Sequence, residues 1–310
     1  MKPTLYKLLP AILLMALQEG CQPVVEKPAI ENCLIKKIDQ IEIISTNLNG
    51  QNSPPVINSS STSFLYDASN RPTTFSYFQL LTLTGYTKVT YKPDGTLASG
   101  IDYDSFNKLS GTKEYQYNTN KQLTVQSSYD TDHSITDFTS YEYNPQGMVS
   151  LATTLQTEGA MATTFSYRNE YDTKNNVIKQ YQKYLSRIFT GTTTAEATAF
   201  LNTLLADLKK EKEVLVTSLS DYDDKFNPYR SQATLAILFD NLPAFNNPKK
   251  LSNYYRDTGT KYVDITYKYE YNRKGFPYIY TIAVDYTAEY TSRTGIQDYT
   301  STSSYEYQCK

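Results

Sequence analysis

Residues 263 to 271 alternate strictly: Val263, Ile265, Tyr267, Tyr269 and Tyr271 are separated by Asp264, Thr266, Lys268 and Glu270. Tyr278, Tyr280, Ile282, Val284 and Tyr286 continue the same period in the next segment. A period of two places successive side chains on opposite faces of a strand. One apolar and one polar face is the pattern of antiparallel sheet, with one side buried and the other wet. The two segments are joined by Asn272-Arg273-Lys274-Gly275-Phe276, which reads as a hairpin turn.

That joint is one copy of a repeat. A tyrosine is followed four residues later by Gly or Asn, and two later again by an apolar residue or Pro. The copies are Tyr66/Asn70/Pro72, Tyr91/Gly95/Leu97, Tyr103/Asn107/Leu109, Tyr143/Gly147/Val149, Tyr171/Asn175/Val177 and Tyr271/Gly275/Pro277, with looser copies at Tyr117, Tyr129 and Tyr222. Asp, Asn or Lys-Pro-Asp after the tyrosine starts a turn, and Gly or Asn at the fifth position tolerates positive φ. In the loose copy at Tyr129 that position is held by His133.

Tyr66, Tyr91, Tyr117, Tyr143 and Tyr171 are spaced by 25, 26, 26 and 28 residues, with Tyr103 and Tyr129 midway between neighbours. Two strands of eight or nine residues and two turns consume about 26 residues. The main series therefore marks turns at one end of a meander, and Tyr103 and Tyr129 mark turns at the other. The gaps 171 to 222 and 222 to 271 are near double length, so another element is expected there. Thr193-Thr194-Ala195-Glu196 fits a capping box, and Phe200, Leu201, Leu204, Leu205, Leu208 and Leu215 fall largely on one helical face. A second helix is expected over Ser231 to Phe239, ended by Asn241-Leu242-Pro243. The expected fold is mainly β: a long antiparallel meander of roughly 12 to 16 strands. It is either an open curved sheet or a barrel-like closed one, with one or two α-helices inserted at about 192–240.

The N-terminus changes the picture of where this sheet resides. A basic start, an apolar run from Leu8 to Leu17 and Gly20-Cys21 make a secretory signal too short to span a bilayer. Residues 1–20 are read as a signal peptide, 21–32 as a tether containing Pro23 and Pro28, and 33–310 as one domain. Cys33 and Cys309 then form an even pair in an exported chain and read as a disulfide joining the domain's ends; two buried free thiols are the alternative. Closing so long a loop stabilises by roughly 5 kcal/mol in the chain-entropy model. Lys+Arg 30 against Asp+Glu 32 gives a net charge of −2, and removal of residues 1–20, which carry Lys2, Lys7 and Glu19, makes it −3. This balance offers no electrostatic footprint for nucleic acid.

Gly20-Cys21 resembles the lipobox of bacterial lipoproteins, in which the cysteine is diacylated; an ordinary signal peptide with an incidental cysteine is the alternative. The units Tyr66-Asp67-Ala68-Ser69-Asn70-Arg71, Tyr91-Lys92-Pro93-Asp94-Gly95-Thr96-Leu97, residues 141–147 and residues 269–275 resemble the YD, or RHS-like, repeats of bacterial surface proteins. The chain is also similar to Bacteroidota lipoproteins of unknown function that end in Tyr-x-Tyr-x-Cys, here Tyr305 to Cys309, and carry an Asn-Pro-aromatic segment, here Asn227-Pro228-Tyr229. The resemblance implies lipidation at Cys21 and residence in the cell envelope, anchored to the outer membrane. It carries over no catalytic residue.

Catalytic chemistry has little to work with. His133 is the single histidine, and no Gly-x-Ser-x-Gly, His-Glu-x-x-His, phosphate-binding glycine loop or Cys-x-x-Cys is present. Asp102/Asp104, Asp130/Asp132 and Asp221/Asp223/Asp224 supply the carboxyl pairs a glycosidase needs, but each lies beside a repeat turn, where Asp serves its own backbone. Asp130 to Ser134 matches only the first half of a calcium loop. The 30 tyrosines, with no Trp, either form a recognition surface for sugars or peptides or simply stabilise the sheet in cross-strand ladders. The expected protein is a non-enzymatic envelope binding or scaffold module, with glycan or protein as partner and neither cofactor nor metal. A barrel-like small-ligand carrier or pore and a carboxylate-based glycan hydrolase remain as alternatives.

Overall fold

The computed structural model describes residues 33–48, 51–158, 161–188, 194–227 and 246–309. The alternating segments are strands: β1 (Cys33–Leu48), a two-residue β2 (Gln51–Asn52), β3 (Val56–Tyr66), β4 (Pro72–Gln79), β5 (Thr82–Tyr91), β6 (Leu97–Asp104), β7 (Leu109–Tyr117), β8 (Leu123–Tyr129) and β9 (Ile135–Tyr143). There follow β10 (Val149–Glu158), β11 (Met161–Tyr171), β12 (Val177–Ile188), helix α1 (Thr194–Leu208), β13 (Val214–Phe226), β14 (Asn246–Tyr254), β15 (Lys261–Tyr271), β16 (Pro277–Tyr286), helix α2 (Ala288–Thr294) and β17 (Ile296–Cys309). Each strand from β3 to β17 pairs antiparallel with the next, and β1 pairs with both β17 and β3, so the sheet closes into a 16-strand barrel. Closure leaves the long meander no free edge to recruit another chain. The signal, tether and Cys21, with the helix expected over 231–239, lie outside the described residues.

The turns carry out the chemistry read from the repeat. Positive φ occurs at Asn70 (61°), Gly95 (87°), Asn107 (62°), Lys121 (60°), His133 (65°), Gly147 (79°), Asn175 (63°) and Gly275 (83°), the fifth position in every case. In the first turn the Asn70 N–H donates to the Asp67 carbonyl (3.0 Å), while Asp67 Oδ1 accepts from the N–H groups of Ser69 (2.8 Å) and Arg71 (2.9 Å). Asn118, Asn144 and Asn272 repeat this arrangement with a neutral side chain. Tyr222 departs from the expectation: it lies within β13, and the strand runs on to Phe226 before turning. The register shift between Tyr222 and Phe226, beside Asp221 at φ 54°, accommodates the displaced turn as a bulge.

Alternation sorts each strand into an inner and an outer face. In β5, Gly85, Thr87 and Val89 are buried while Thr84, Lys88 and Thr90 are exposed. Following the register around the barrel, the inner face takes in Phe75, Tyr77, Asp102, Tyr115, Thr139, Phe165, Gln182, Ile265, Tyr267, Tyr280, Ser301 and Ser303. The outer face carries Ser59, Ser61, Ser63, Thr74, Ser76, Thr90, Ser99, Thr266, Lys268, Glu270, Thr300 and Thr302.

This sorting separates the two tyrosine series. At the end of the barrel where β3, β5, β7, β9 and β11 finish, hereafter the tyrosine end, each repeat tyrosine points inward and latches to a neighbouring strand. The hydroxyls of Tyr66, Tyr91, Tyr143 and Tyr171 donate to the carbonyls of Ile35 (2.6 Å), Pro72 (2.6 Å), Leu123 (2.7 Å) and Val149 (2.7 Å). Tyr117 bonds Leu97, Tyr222 bonds Val177, and Tyr307 bonds Pro277 at 2.8 Å. Apart from Ile35, every acceptor is the first residue of its strand, so each hydroxyl ties one hairpin to the opening of the hairpin before it. Burial pushes the hydroxyls of Tyr117 and Tyr171 up to about 12, which keeps them protonated as donors. Tyr103 and Tyr129, at the opposite end, face outward. Tyr103 stacks on Tyr86 at 4.8 Å, and its carbonyl lies so close to Gly85 that a Cβ there would sit 2.6 Å away. The Tyr129 carbonyl crowds Gly111 in the same way, at 2.8 Å.

Of the latched tyrosines, Tyr66, Tyr91, Tyr117 and Tyr307 pack with Ile35, Phe64, Phe75, Val89, Leu97, Tyr115, Leu123 and Tyr305 into one cluster. Contributed by β1, β3 to β8 and β17, it fills the lumen at the tyrosine end. Full burial of such side chains contributes about 1.5–3 kcal/mol each. Helix α1 lies on the outer face, where Phe200, Leu204 and Leu208 cover Phe138, Leu155, Ala162 and Leu185. It ends at Leu208, and the Lys183 ammonium bonds the Lys209 carbonyl at 2.7 Å. Leu215, expected on the helical face, instead pairs with Tyr181 in β13, because extending the sheet satisfies its backbone. Tyr278 also leaves its expected face: the register shift before Tyr271 turns it outward, where its hydroxyl bonds Glu270 at 2.6 Å.

Loss of one latch should cost about 1 kcal/mol, the net worth of a typical hydrogen bond. In urea unfolding, Tyr91→Phe and Tyr143→Phe are therefore expected each to lower stability by about that amount, while the outward Tyr86→Phe stays within about 0.5 kcal/mol. A second outcome concerns acid. The Arg71 N–H, with the Arg71 guanidinium and Ser69 N–H, holds the Asp67 carboxyl below its ordinary value of 3.8. A folded pKa below the unfolded one stabilises above that ordinary value and is lost as pH falls through the depressed one. Asp67→Asn keeps the turn acceptor, so it should flatten the decline of the urea midpoint below about pH 4 while leaving the turn intact.

Candidate functional site

At the end opposite the tyrosine cluster the inner face opens into two clefts that share one wall. The first, of about 340 Å³, is lined by Gln156, Met161, Thr163, Phe165, Gln182, Tyr184 and Arg256. The second, of about 460 Å³, adds Tyr167, Gln180, Thr217, Asn253, Tyr255, Tyr262 and Tyr290. Most of these positions follow from strand alternation in β11 to β15, which aims every second residue inward. Arg256 does not, since it sits on the turn between β14 and β15, closed by the Tyr255 N–H to Thr260 carbonyl bond (2.8 Å) and by Gly259 at φ 70°. That turn swings its guanidinium over the Tyr184 ring, with Cζ 3.5 Å from the centroid.

The walls are held in place by their own hydrogen bonds. Gln182 Nε2 donates to the Tyr167 hydroxyl (2.8 Å), Gln180 Nε2 to Asn169 Oδ1 (3.2 Å) and Thr217 Oγ1 to Asn253 Oδ1 (2.9 Å). Burial raises the Tyr167 hydroxyl despite the nearby Arg256 charge, so it stays neutral at physiological pH. Helix α2 supplies Tyr290, which stacks on Tyr286 (4.7 Å) and Tyr262 (5.3 Å), and Tyr262 meets Tyr255 at 4.7 Å. Sequence reasoning missed α2, which is too short to show a helical period. Its caps are nonetheless legible: Thr287 accepts from the Tyr290 N–H, and Gly295 adopts φ 72°.

The same end exposes apolar side chains. Leu80 and Leu81 form the tip of the β4–β5 hairpin at φ 48° and 67°, Leu81 is 90% exposed, and Phe106 on the β6–β7 turn is 87% exposed. Val56, Ile57, Ile135 and Ile188 are exposed at neighbouring strand ends. Exposed apolar tips and strained non-glycine backbone both concentrate where proteins meet something else.

The carboxylates read as possible catalytic pairs are engaged separately. Asp104 accepts from the N–H groups of Phe106 and Lys108, Asp130 from those of Asp132 and Ser134, and Asp132 from that of Ser134. Asp102 accepts from the Thr87 hydroxyl and faces Lys113 at 3.5 Å. Asp221 pairs with Lys250 (2.8 Å), Asp224 with Lys225 (3.4 Å), and Asp223 takes the Tyr271 hydroxyl and the Asn247 N–H (3.2 Å). His133 serves as a turn residue, and among the described residues no three His, Cys, Asp or Glu side chains converge as a metal set. Cys33 lies directly opposite Cys309 in the β1–β17 register.

No family model and no curated protein matches the sequence. Solved structures resemble the chain. A porin-like protein from Bacteroides uniformis is similar over 88% of this chain and 98% of its own, at 16% identity and a TM-score of 0.51. A porin-like protein from Bacteroides vulgatus covers the same shares at 10% identity and a TM-score of 0.39. At 16% identity the first likeness speaks to the fold alone.

Proposed function

We propose that the protein is a non-enzymatic, lipid-anchored cell-envelope module whose barrel serves as a binding cup rather than a channel. The observation that carries this reading is the asymmetry of the lumen, which is filled with aromatic side chains at one end and hollowed into polar clefts at the other. Strands that face lipid need an apolar outer band. Here the outer positions are largely Ser, Thr, Lys and Glu; among the described residues the apolar ones gather under α1 and in a small patch of Ile41, Ile43 and Ile57 on β1 and β3. A pore would need the tyrosine cluster to part and the outer face to be repopulated. The likeness to the Bacteroides uniformis porin-like protein therefore supports a barrel but not passage through it. The hydrolase reading loses its support because the carboxylates are held by turns, lysines and hydroxyls on different strands.

The anchor completes the reading. Acylation at Cys21 would leave residues 22–32 as a tether entering the barrel at Cys33, beside the tyrosine end, and hold the cup within about 40 Å of the membrane at full extension. YD-type repeats, closed on themselves rather than extended in an array, would then be the means of building the cup. In an oxidising envelope the facing Cys33 and Cys309 would form the disulfide that locks the seam.

Reconstituted into planar bilayers, the purified protein is expected to open no ion-conducting steps; stepwise conductance would establish the pore instead. Cys21→Ser should move the protein from the membrane to the soluble fraction, and its retention with membranes would remove the lipid anchor. Maleimide labelling of the native protein should reach Cys33 and Cys309 only after reduction.

A further inference from the structure

We infer that the twin clefts around Arg256 bind an acidic saccharide, with the Arg256 guanidinium receiving its carboxylate or sulfate; this rests on the binding-cup reading above. The charge arrangement comes first. Arg71, Arg168 and Arg293 each pair with a carboxylate, whereas among the described residues Arg187, Arg256 and Arg273 do not, and of these three Arg256 is the one that lines the clefts. Among the described residues no Asp or Glu lines either cleft, although the chain holds 32 of them. Arg256 is exposed to solvent, with its guanidinium held against the Tyr184 ring. A planar fork matches a planar or tetrahedral oxyanion through two parallel N–H bonds. The other guanidinium near the clefts, Arg293 over Tyr255, is neutralised by Glu289 (2.7 Å), which leaves one uncompensated cation and suits a singly charged group.

The rest of the lining suits sugar. Gln156, Gln180, Gln182 and Asn253 offer carboxamide donors and acceptors for hydroxyl groups. Phe165 and Tyr167 offer apolar ring surface for the C–H side of a sugar, while Tyr255, Tyr262 and Tyr290 stack on one another, on Tyr286 and against Arg293 as a stiff wall of the cleft. Two adjoining clefts on either side of one cation give space for adjacent sugar units. A purely apolar ligand would leave these amides and the guanidinium desolvated without partners, which is costly.

The test is calorimetric titration of the full chain with trigalacturonate, a sulfated chondroitin disaccharide, its unsulfated counterpart and neutral maltotriose. At least one acidic saccharide is expected to bind at least about tenfold more tightly than maltotriose, with affinity falling as salt rises. Arg256→Ala should lose about tenfold or more of that affinity at an unchanged urea midpoint, and Arg256→Lys should recover part of it. Preference for the sulfated over the unsulfated disaccharide would identify sulfate as the bound group, and tight binding of trigalacturonate would identify carboxylate. Equal binding of maltotriose, or undiminished affinity in Arg256→Ala, would overturn the role of the cation while leaving the cup intact. Binding of none of the four would overturn the saccharide assignment, whereas the cup itself stands or falls on the conductance measurement.

Discussion

The hydrogen bond from an inward tyrosine hydroxyl to the first carbonyl of the preceding hairpin is the interaction on which this barrel depends. Neighbouring strands already share ladder bonds, so a hairpin is locally complete without it. What ladders do not supply is a reason for successive hairpins to keep a common inclination until the sheet meets itself. Each latch fixes the end of one strand against the opening of the next hairpin's neighbour, from Tyr66 on Ile35 to Tyr307 on Pro277. Because those rings are large, fixing their hydroxyls also fills the lumen between them. A single side-chain type therefore specifies both closure and the plug.

The two ends of the barrel are lined differently. The aromatic cluster occupies the tyrosine end, whereas at the far end the inner face is lined by Gln, Asn, Thr and a displaced Arg. Exposed leucine and phenylalanine tips gather at that same rim. The far-end turns are also built differently, since a glycine facing the Tyr103 or Tyr129 carbonyl replaces the hydroxyl latch. One end thus carries the interactions that order the fold, and the other is free to vary.

Much of this was legible in the residues. The strand period, the turn positions with positive φ, the assignment of the two tyrosine series to opposite ends and the helix near residue 200 all rest on interactions within a few residues of each other. Local chemistry is enough to dictate them. The legible part stopped at Tyr222, Leu215 and Tyr278, where a bulge or a sheet pairing overrode the local pattern, and at α2, which is shorter than the window in which a helical period can be seen. Asp104, Asp130 and Asp132 serve their own turns as expected, but Asp221, Asp223 and Asp224 lie within β13, and the partner of Asp221, Lys250, comes from the neighbouring strand β14.

The sequence by itself determined the strand period and most turns of the tyrosine repeat, because a two-residue period and an Asx-type turn are set by neighbouring side chains. Whether those hairpins stayed an open sheet or closed was decided only by the tertiary structure, since pairing β1 with β17 joins residues at opposite ends of the chain. The candidate site was decided there as well. Arg256, Tyr184 and Gln182 acquire meaning only when a turn from one hairpin is carried over the inner face of another, and no spacing along the chain records that approach.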